Sequence, residues 1–470
     1  MPGLLHHGRF TNPDRLKIRM DFSVDRQENE MQTGLGRSRR RRRPGRLMRL
    51  AVCVVLLVTA GCAANSTPES TGSAPTATGP AGPSVLKTID PAALQAAVDA
   101  TVKELLIPGA VVVLRTPQGD FTTVSGTTLQ GAESPPSADT WFRIASNTKT
   151  MTAAAIVLMA QEGKLQFTDP VSRYVPDVPN GENITLAQLL TMRSGLYNYT
   201  DAPELSAALD ADPTRVWTPQ EVLAIAFQRP PDFPPGAEYA YNNTNYALLG
   251  LVAEKIDGKP LATILQDRLF APQGLQRIML PAIDSTSIPD PYSHGYMYGG
   301  SAFALVDAPY PPDMQAAARA GTLQPTDYTN QNTSYASAAG GAVATATDLA
   351  TWIRALVEGR VFNTDFQRQW LDSVQPEDPA KPDGQQYGYG ISQQRFAPNG
   401  SMYFHGGELP GFNSFIGYDP DNKVTLVIWT NLTVSLDGEH TANALLLKVL
   451  DQVYPGIPVA PPATPTPTTR

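Results

Sequence analysis

Strand-like segments lie near both ends of this 470-residue chain, and a long helical stretch separates them. The β-branched run Ala110–Leu114 continues through the turn T-P-Q-G-D into Phe121–Ser125, a pattern typical of a hairpin. Near the other end, Met402–His405, Phe412–Tyr418 and Lys423–Thr430 are strand-like, and the last two flank a D-P-D-N turn. The sequence therefore predicts an α+β fold whose antiparallel sheet is built from both ends of the chain.

Helical patterns flank the predicted strands and fill the stretch between them. One covers Pro91–Leu106, with Pro91 in the first turn, and another covers about 438–453. The inner helices are predicted at 147–162, 185–193, 218–227, 243–257, 260–270 and 347–358. We expect a sheet flanked by the N- and C-terminal helices, a mostly helical inserted region, and an active site between them.

The charge of the chain is divided unevenly. Residues 1–61 hold 13 of the 36 Lys and Arg but only 5 of the 44 Asp and Glu, so the remaining residues carry a formal net charge of −16. A nucleic-acid-binding surface needs positive charge to neutralise phosphates, so we expect no nucleic-acid partner. The 42% hydrophobic content indicates a globular domain rather than a disordered chain.

The basic stretch 37–49 and the apolar run Leu50–Ala60 together resemble a secretory signal. The run is shorter than the roughly 20 residues that a membrane span requires. It leads into V-T-A-G-C, which is similar to the cleavage box of bacterial lipoproteins, so we expect export and a lipid anchor at Cys62 on the outer face of the cell membrane. The alternative is a chance cysteine behind an ordinary cleavable signal. Met31 and Met48 are candidate start residues.

Composition divides the chain into four predicted parts. They are an N-terminal extension with a signal (1–61), a Ser/Thr/Pro/Ala/Gly tether (62–88), a working domain (89–456) and a Pro/Thr tail (457–470). Cys53 and Cys62 both precede the working domain, so we expect no disulfide, thiolate metal site or cysteine nucleophile in it. Its histidines, His294, His405 and His440, lack metal-ligand spacing, so neither a metal nor a cofactor is expected.

Ser146-Asn-Thr-Lys149, at the start of a predicted helix, is the leading candidate for chemistry. A serine at a helix N-terminus faces free backbone N–H groups and a dipole that favours developing negative charge. Lys149 lies one turn further on the same face, and enclosure by protein would lower the pKa of its ammonium so that it could take the serine proton. A second Ser-x-x-Lys, 84–87, lies at the tether boundary without a helix to order it.

Two further motifs accompany the serine motif. Tyr241-Asn-Asn243 lies between a proline-rich turn and a predicted helix, and His405-Gly-Gly407 follows a predicted strand. A second Tyr-x-Asn occurs at 328–330, so the tripeptide alone decides nothing. The simpler interpretations are Tyr241 as a packed aromatic, Asn243 as a helix cap and His405 as a strand-edge residue.

In this order, the three motifs resemble those of the serine β-lactamase and penicillin-binding superfamily, in the branch of class C β-lactamases and secreted D-alanyl-D-alanine carboxypeptidases. The linking segments 184–200, 235–246 and 338–349 match as well, and residues 192–201 are similar to the Streptomyces-type D,D-carboxypeptidase/transpeptidase. The resemblance extends from about 110 to 431, nearly the whole working domain, and implies a β-lactamase/transpeptidase-like fold.

The resemblance implies a role for each residue of the first two motifs. Ser146 attacks the substrate carbonyl and forms an acyl-enzyme. Lys149 and Tyr241 share the proton transfer, and Tyr241 passes a proton to the leaving amine. Asn243 holds Lys149 and the substrate amide.

The resemblance also places the third motif at the substrate. His405 lies beside a substrate carboxylate, Gly407 belongs to the same binding strand, and the N–H groups of Ser146 and Glu408 form the oxyanion hole. The Pro-, Gly- and Tyr-rich segment 281–335 is predicted to be a loop over the cleft.

Two departures from the family pattern weaken the recognition of a free carboxylate. Gly406 stands where the family often has Thr or Ser. Where the carboxypeptidases have an arginine, this chain has Gln393, Gln394 and Arg395, and adjacent strand residues point to opposite faces. Esters and amides therefore remain possible substrates.

We predict an exported serine hydrolase that acts through an acyl-enzyme, with D-alanyl-D-alanine carboxypeptidase-like activity on peptidoglycan stem peptides as the leading hypothesis. An esterase or class C-like β-lactamase, acting on an ester or a β-lactam, is the alternative on the same scaffold. The third hypothesis is a non-catalytic penicillin-binding or cell-wall interaction protein. It is disfavoured because Ser146, Lys149 and Tyr241 are all present.

Overall fold

The central sheet joins the two ends of the working domain. The computed structural model describes residues 86–299 and 308–457. Their strands, numbered along the chain, are β1 Gly109–Thr116, β2 Gly119–Gly126, β3 Phe142–Arg143, β4 Ile278–Met279, β5 Tyr296–Met297, β6 Thr326–Asp327, β7 Val343–Ala344, β8 Gln375–Pro376, β9 Gln386–Tyr387, β10 Ser392–Ala397, β11 Gly400–Leu409, β12 Phe412–Asp419 and β13 Val424–Thr430. Eight of them form one antiparallel sheet in the order β2-β1-β13-β12-β11-β10-β9-β8.

Strand β1 pairs directly with β13, from Ala110 opposite Thr430 to Arg115 opposite Thr425. Strands β12 and β13 are buried along their whole length. Both faces of the sheet are therefore covered, which explains why these strands read as continuous apolar runs without a polar side.

Helices cover the two faces of this sheet. The described α-helices are α1 Pro91–Glu104, α2 Thr148–Gln161, α3 Leu186–Leu190, α4 Pro203–Ala211, α5 Pro219–Phe227, α6 Asn243–Asp257, α7 Leu261–Leu265, α8 Pro312–Arg319, α9 Ser337–Gly340, α10 Ala346–Val357, α11 Thr364–Leu371 and α12 Thr441–Val453. Helices α1 and α12 share a core with one face, through residues such as Val98 and Leu445. Helix α10 packs against β12 and β13 on the other face, and this face shares its core with the inserted helical region.

Helix α2 is the centre of the helical region. Twelve of its 14 residues are buried, including Lys149. A helix that is apolar on nearly all sides is enclosed by other elements, and α2 packs against α6, α7 and α9. Its N-terminus therefore lies inside the molecule, between the sheet and the helices.

The predicted α+β architecture is confirmed, with an antiparallel sheet built from both ends of the domain and an inserted helical region. The helix predicted at 260–270 ends at Leu265 and continues as a π-helical turn, Gln266–Phe270. The segment 281–335, predicted as a loop, contains helix α8 and the paired strands β5 and β6. Pro312 occupies the first turn of α8, where proline is tolerated. The prolines of this segment are therefore compatible with a helix start as well as with a loop.

The predicted signal segment and Cys62 lie outside the described residues, as do positions 62–85 of the tether and 458–470 of the tail. The described chain begins beside α12, where Lys87 Nζ lies 3.0 Å from Asp451 Oδ1. Within 86–299 and 308–457, no helix has the length and apolar character needed to cross a membrane.

Arg143 connects the strand before the serine motif to the segment 286–333. Its side chain is buried, and Nη2 lies 2.9 Å from the carbonyl oxygens of Thr286, Thr329 and Gln331, which share its two N–H donors. Burial lowers the pKa of Arg143 to about 10, so the side chain remains cationic at neutral pH. The cation thus holds three backbone carbonyls close to the chain that leads to Ser146.

We predict that Arg143→Met lowers the free energy of unfolding by about 3 kcal/mol, because three carbonyls lose their cationic donor. Denaturation in urea measures the loss. The control is Arg360→Met, whose exposed guanidinium lies 3.2 Å from Glu358 Oε2 and should change stability by less than about 0.5 kcal/mol. Equal losses in the two variants would contradict the role of Arg143.

Candidate active site

Ser146 lies in a tight turn at the entrance of α2. Residues Ala145–Asn147 form a 3-10 turn, and the α-helix starts at Thr148. Ala145 has a φ of 51°, in the left-handed region that costs a non-glycine residue about 1 kcal/mol or more. Thr148 Oγ1 donates a 2.7 Å hydrogen bond to the Ala145 carbonyl, and the Ile144 N–H donates a 3.1 Å bond to Ala342. The surrounding structure thus holds the serine turn in a conformation that the local sequence does not favour.

The Lys149 amine is fully buried next to the serine. Nζ lies 2.9 Å from Ser146 Oγ, 2.7 Å from Asn243 Oδ1 and 2.7 Å from the Ala339 carbonyl oxygen. Burial lowers the pKa of Lys149 well below its usual value, because the charged form loses its hydration. A neutral amine close to a serine hydroxyl is suited to accept the serine proton.

Asn243 fixes the direction of the Lys149 lone pair. Asn243 Nδ2 donates to Thr200 Oγ1 at 3.1 Å, so its Oδ1 is the atom that faces Lys149. A neutral amine has two N–H groups, which are used by the acceptors Asn243 Oδ1 and Ala339 O. The lone pair is then directed to the third partner, the Ser146 hydroxyl.

Tyr241 precedes α6 and closes the other side of the serine. Its ring centroid lies 4.8 Å from Lys149 Nζ. Burial raises the pKa of Tyr241 well above its usual value, and a hydrogen bond with Ser146 opposes this only in part. The phenol is therefore protonated at neutral pH and is suited to donate a proton.

Strand β11 approaches the serine turn at Gly407. A Cβ on Gly407 would lie 2.2 Å from the Ile144 carbonyl oxygen and 2.5 Å from Ser414 Oγ. Only glycine allows this approach. The next residue, Glu408, has its carboxylate Oε2 3.1 Å from His440 Nδ1.

His405 lies on the same strand and is 1% exposed. Its Nδ1 lies 2.6 Å from the Gly406 carbonyl oxygen, and its Nε2 lies 3.1 Å from the Tyr387 hydroxyl. Burial is the main cause that lowers the pKa of His405 to about 3, and a positive charge on Lys149 at acid pH acts in the same direction. The imidazole is therefore neutral at physiological pH.

The structure brings together the residues that the three motifs predict. Ser146, Lys149 and Asn243 are joined by direct hydrogen bonds, Tyr241 and His405 have ring centroids 6.3 Å apart, and Gly407 packs against the serine turn.

Arg395, by contrast, is exposed and donates to the Pro398 carbonyl at 3.0 Å. In the described ranges, no group of three or more His, Cys, Asp or Glu is placed to hold a metal ion.

Sequence reasoning missed two residues that form hydrogen bonds with Lys149 or His405. Ala339 binds Lys149 through its backbone carbonyl, which every residue type possesses. Tyr387 contacts His405 because β10 pairs with both β9 and β11. Tyr387 lies opposite Ser392 on β10, and Ser392 lies opposite Phe404 on β11, the residue before His405. The Y-G-Y-G context of Tyr387 carries no local signal for that contact.

We predict that His405 makes stability depend on acid pH. Below its ordinary pKa of about 6.5 the unfolded chain binds a proton that the folded protein, with a pKa of about 3, does not. The free energy of unfolding therefore falls as the pH falls between these two values. His405→Gln removes this contribution, so its stability should decline less steeply between about pH 6.5 and 4.5 in urea denaturation.

The control for this prediction is Asn399→Ala, which changes an exposed, uncharged side chain in the turn between β10 and β11. It should retain the wild-type slope. If the free energies of unfolding of the wild type and His405→Gln declined in parallel as the pH fell, His405 would be charged in the folded protein and the prediction would be wrong.

Solved structures similar to this chain include two D-specific enzymes. A D-stereospecific amidohydrolase from Streptomyces sp. matches with a TM-score of 0.65 and 28% identity, covering 77% of this chain and 98% of that chain. The D-amino acid amidase from Ochrobactrum anthropi SV3, complexed with L-phenylalanine, matches with a TM-score of 0.64 and 26% identity, covering 77% of this chain and 97% of that chain. Both similarities support the predicted fold over the whole described domain.

Sequence comparison leads to the same superfamily. The putative penicillin-binding protein PbpX of Bacillus subtilis (strain 168) is 26% identical over 316 residues, 67% of this chain and 66% of PbpX, slightly less than two thirds of that relative. The Beta-lactamase family model matches residues 94–451, well over half of the chain. The predicted relationship to the serine β-lactamase and penicillin-binding superfamily is confirmed. This chain therefore belongs to the Beta-lactamase family.

Proposed function

We propose that this protein forms an acyl-enzyme at Ser146 and cleaves the amide bond that follows a D-amino acid residue, in a D-amino acid amide or a cell-wall peptide. The observation that carries the proposal is the contact of Lys149 Nζ with Ser146 Oγ at 2.9 Å, with two other acceptors fixing the amine. Serine hydrolases make up the family, and the intact contact argues against a non-catalytic binding protein.

Acylation follows from the protonation states of the two groups beside Ser146. Neutral Lys149 accepts the hydroxyl proton as Oγ bonds to the substrate carbonyl carbon. Tyr241 donates its proton to the leaving nitrogen as the C–N bond breaks, and it recovers a proton from the Lys149 ammonium. The net result is the transfer of one proton from Ser146 to the leaving amine, and Lys149 and Tyr241 return to their starting states.

Hydrolysis of the acyl-enzyme uses the same groups in reverse. Neutral Lys149 accepts a proton from a water molecule as the water oxygen bonds to the acyl carbon, and that proton passes to Ser146 Oγ as the bond between Oγ and the acyl carbon breaks. In both steps negative charge develops on the carbonyl oxygen. Backbone N–H groups of Ser146 and Glu408 would stabilise it, because Gly407 keeps β11 against the serine turn.

The names of similar proteins support a D-configured substrate. The structural neighbours are described as a D-stereospecific amidohydrolase and a D-amino acid amidase, and PbpX is described as a penicillin-binding protein. D-alanyl-D-alanine carboxypeptidase activity, the leading hypothesis from the sequence, is one member of the proposed class. An esterase or a β-lactamase on the same scaffold would use the same acyl-enzyme with a different leaving group.

The proposal is tested with Ser146→Ala and Lys149→Arg. The wild type should be labelled by a fluorophosphonate and a fluorescent penicillin, seen by intact mass, and should hydrolyse D-alanine p-nitroanilide faster than the L-isomer. Ser146→Ala should lose labelling and turnover. Lys149→Arg should lower kcat/KM by about 100-fold or more, because arginine stays protonated and cannot serve as a base.

Lys164→Arg is the matched control, because this lysine is partly exposed and pairs with Glu162 and Asp257 at 3.0 Å. Labelling that survives Ser146→Ala would overturn the nucleophile. Hydrolysis of esters without amides would favour the esterase, and equal rates on both isomers would overturn the D-specificity.

We also propose export and lipid anchoring at Cys62, which rest on the sequence of residues 37–62. In a bacterial host, the wild type should partition into the membrane fraction with a lipid-modified N-terminal mass. Cys62→Ala should be released in soluble form. The same distribution of both proteins would overturn the anchor.

A further inference from the structure

Both ring nitrogens of His405 are engaged by the protein itself. A carbonyl oxygen can only accept, so Nδ1, 2.6 Å from Gly406 O, carries the proton of the ring. The other nitrogen, Nε2, then has a lone pair, and the Tyr387 hydroxyl donates to it at 3.1 Å. In this arrangement His405 presents neither a positive charge nor an N–H group to a substrate.

The groups around His405 come from three elements. Lys149 on α2 acts on it by charge when it is protonated at acid pH, and Tyr241, before α6, has its ring centroid 6.3 Å away. Tyr387 on β9 has its ring centroid 5.9 Å away, and its neighbour Tyr246 on α6 donates its own proton to the Leu190 carbonyl at 3.0 Å. Because Nδ1 carries the ring proton, the proton between Tyr387 and His405 Nε2 comes from the Tyr387 hydroxyl.

The His405–Tyr387 pair lies beside Tyr241, which the proposed mechanism makes the leaving-group side of the site. Tyr241, the proposed donor to the leaving nitrogen, has its ring centroid 6.3 Å from the rings of both His405 and Tyr387. In the proposed mechanism, a group attached to that nitrogen is placed next to this pair. Gly406 adds no side chain that could bind a charge there.

We propose that Tyr387 is a specificity-determining residue that occupies His405 Nε2 and keeps the leaving-group side of the site uncharged. The enzyme then prefers amides with a neutral leaving group to peptides that end in a free carboxylate. The inference rests on the proposed function and names its substrate class. A carboxylate placed against a neutral imidazole would lose hydration without gaining a cationic partner, which is unfavourable.

Tyr387→Phe tests the proposal, because it keeps the ring and removes the donor to Nε2. The two probes are N-acetyl-D-alanyl-D-alanine and its C-terminal amide, which differ only in the charge of the leaving group. The wild type should prefer the amide. Tyr387→Phe should shift the ratio of kcat/KM values toward the acid by about tenfold, mainly through KM. The shift should grow as the pH falls, because Nε2 can now bind a proton.

Tyr239→Phe is the matched control. Its ring centroid lies 5.8 Å from that of Tyr387, while its hydroxyl is bonded to Glu377. This variant should keep the wild-type ratio. An unchanged ratio in Tyr387→Phe, or the same shift in both variants, would overturn the proposal.

Nitrogen-15 NMR of the histidine rings separates this proposal from the proposed function. The wild type should show His405 as the Nδ1–H tautomer, and Tyr387→Phe should change the Nε2 shift. An Nε2–H tautomer or an imidazolium near pH 7 would overturn the inference even in an active enzyme. The expected tautomer in a protein that cleaves neither probe would overturn the proposed function and leave Tyr387 as a structural partner only.

Discussion

The burial of one amine organises the site. The partners of Lys149 come from the turn before α2, from the first residue of α6 and from α9. A buried polar group needs its hydrogen bonds, so these three elements must converge on the amine for the helical region to pack. The same contacts place Ser146 Oγ against the lone pair of Lys149. Stability and chemistry therefore depend on one set of distances.

The choice of acceptors around Lys149 matters as much as their number. A carboxylate beside the amine would favour the ammonium and raise its pKa. Asn243 and the Ala339 carbonyl instead satisfy the N–H groups without a full negative charge. Arg143 shows the same arrangement, with three backbone carbonyls around a buried cation. Amide and carbonyl dipoles, rather than full negative charges, thus bind both side chains. The pKa of Lys149 therefore stays low.

The sequence predicted the elements of the site better than the contacts between them. Ser146 and Lys149 are one helical turn apart, so helical periodicity alone places them on one face. Family resemblance related them to Tyr241 and His405, which are distant in the chain. Tyr387 escaped prediction because its position depends on the pairing of three strands. The helix within the segment 281–335 was missed because its prolines also fit a loop.

The pairing of β1 with β13 has a consequence for how the chain folds. Ala110 meets Thr430 across more than 300 residues, so the centre of the sheet contains one of the most distant pairings of the chain. Contacts of such sequence separation form slowly, because a long loop must close first. Until residues 424–430 are available, the hairpin of β1 and β2 has an open edge, which favours pairing with other chains. A chain shortened from its C-terminus far enough to lose β13 would also lose α12. It would keep the catalytic motifs but leave β1 and β12, which lie on either side of β13, without their common neighbour.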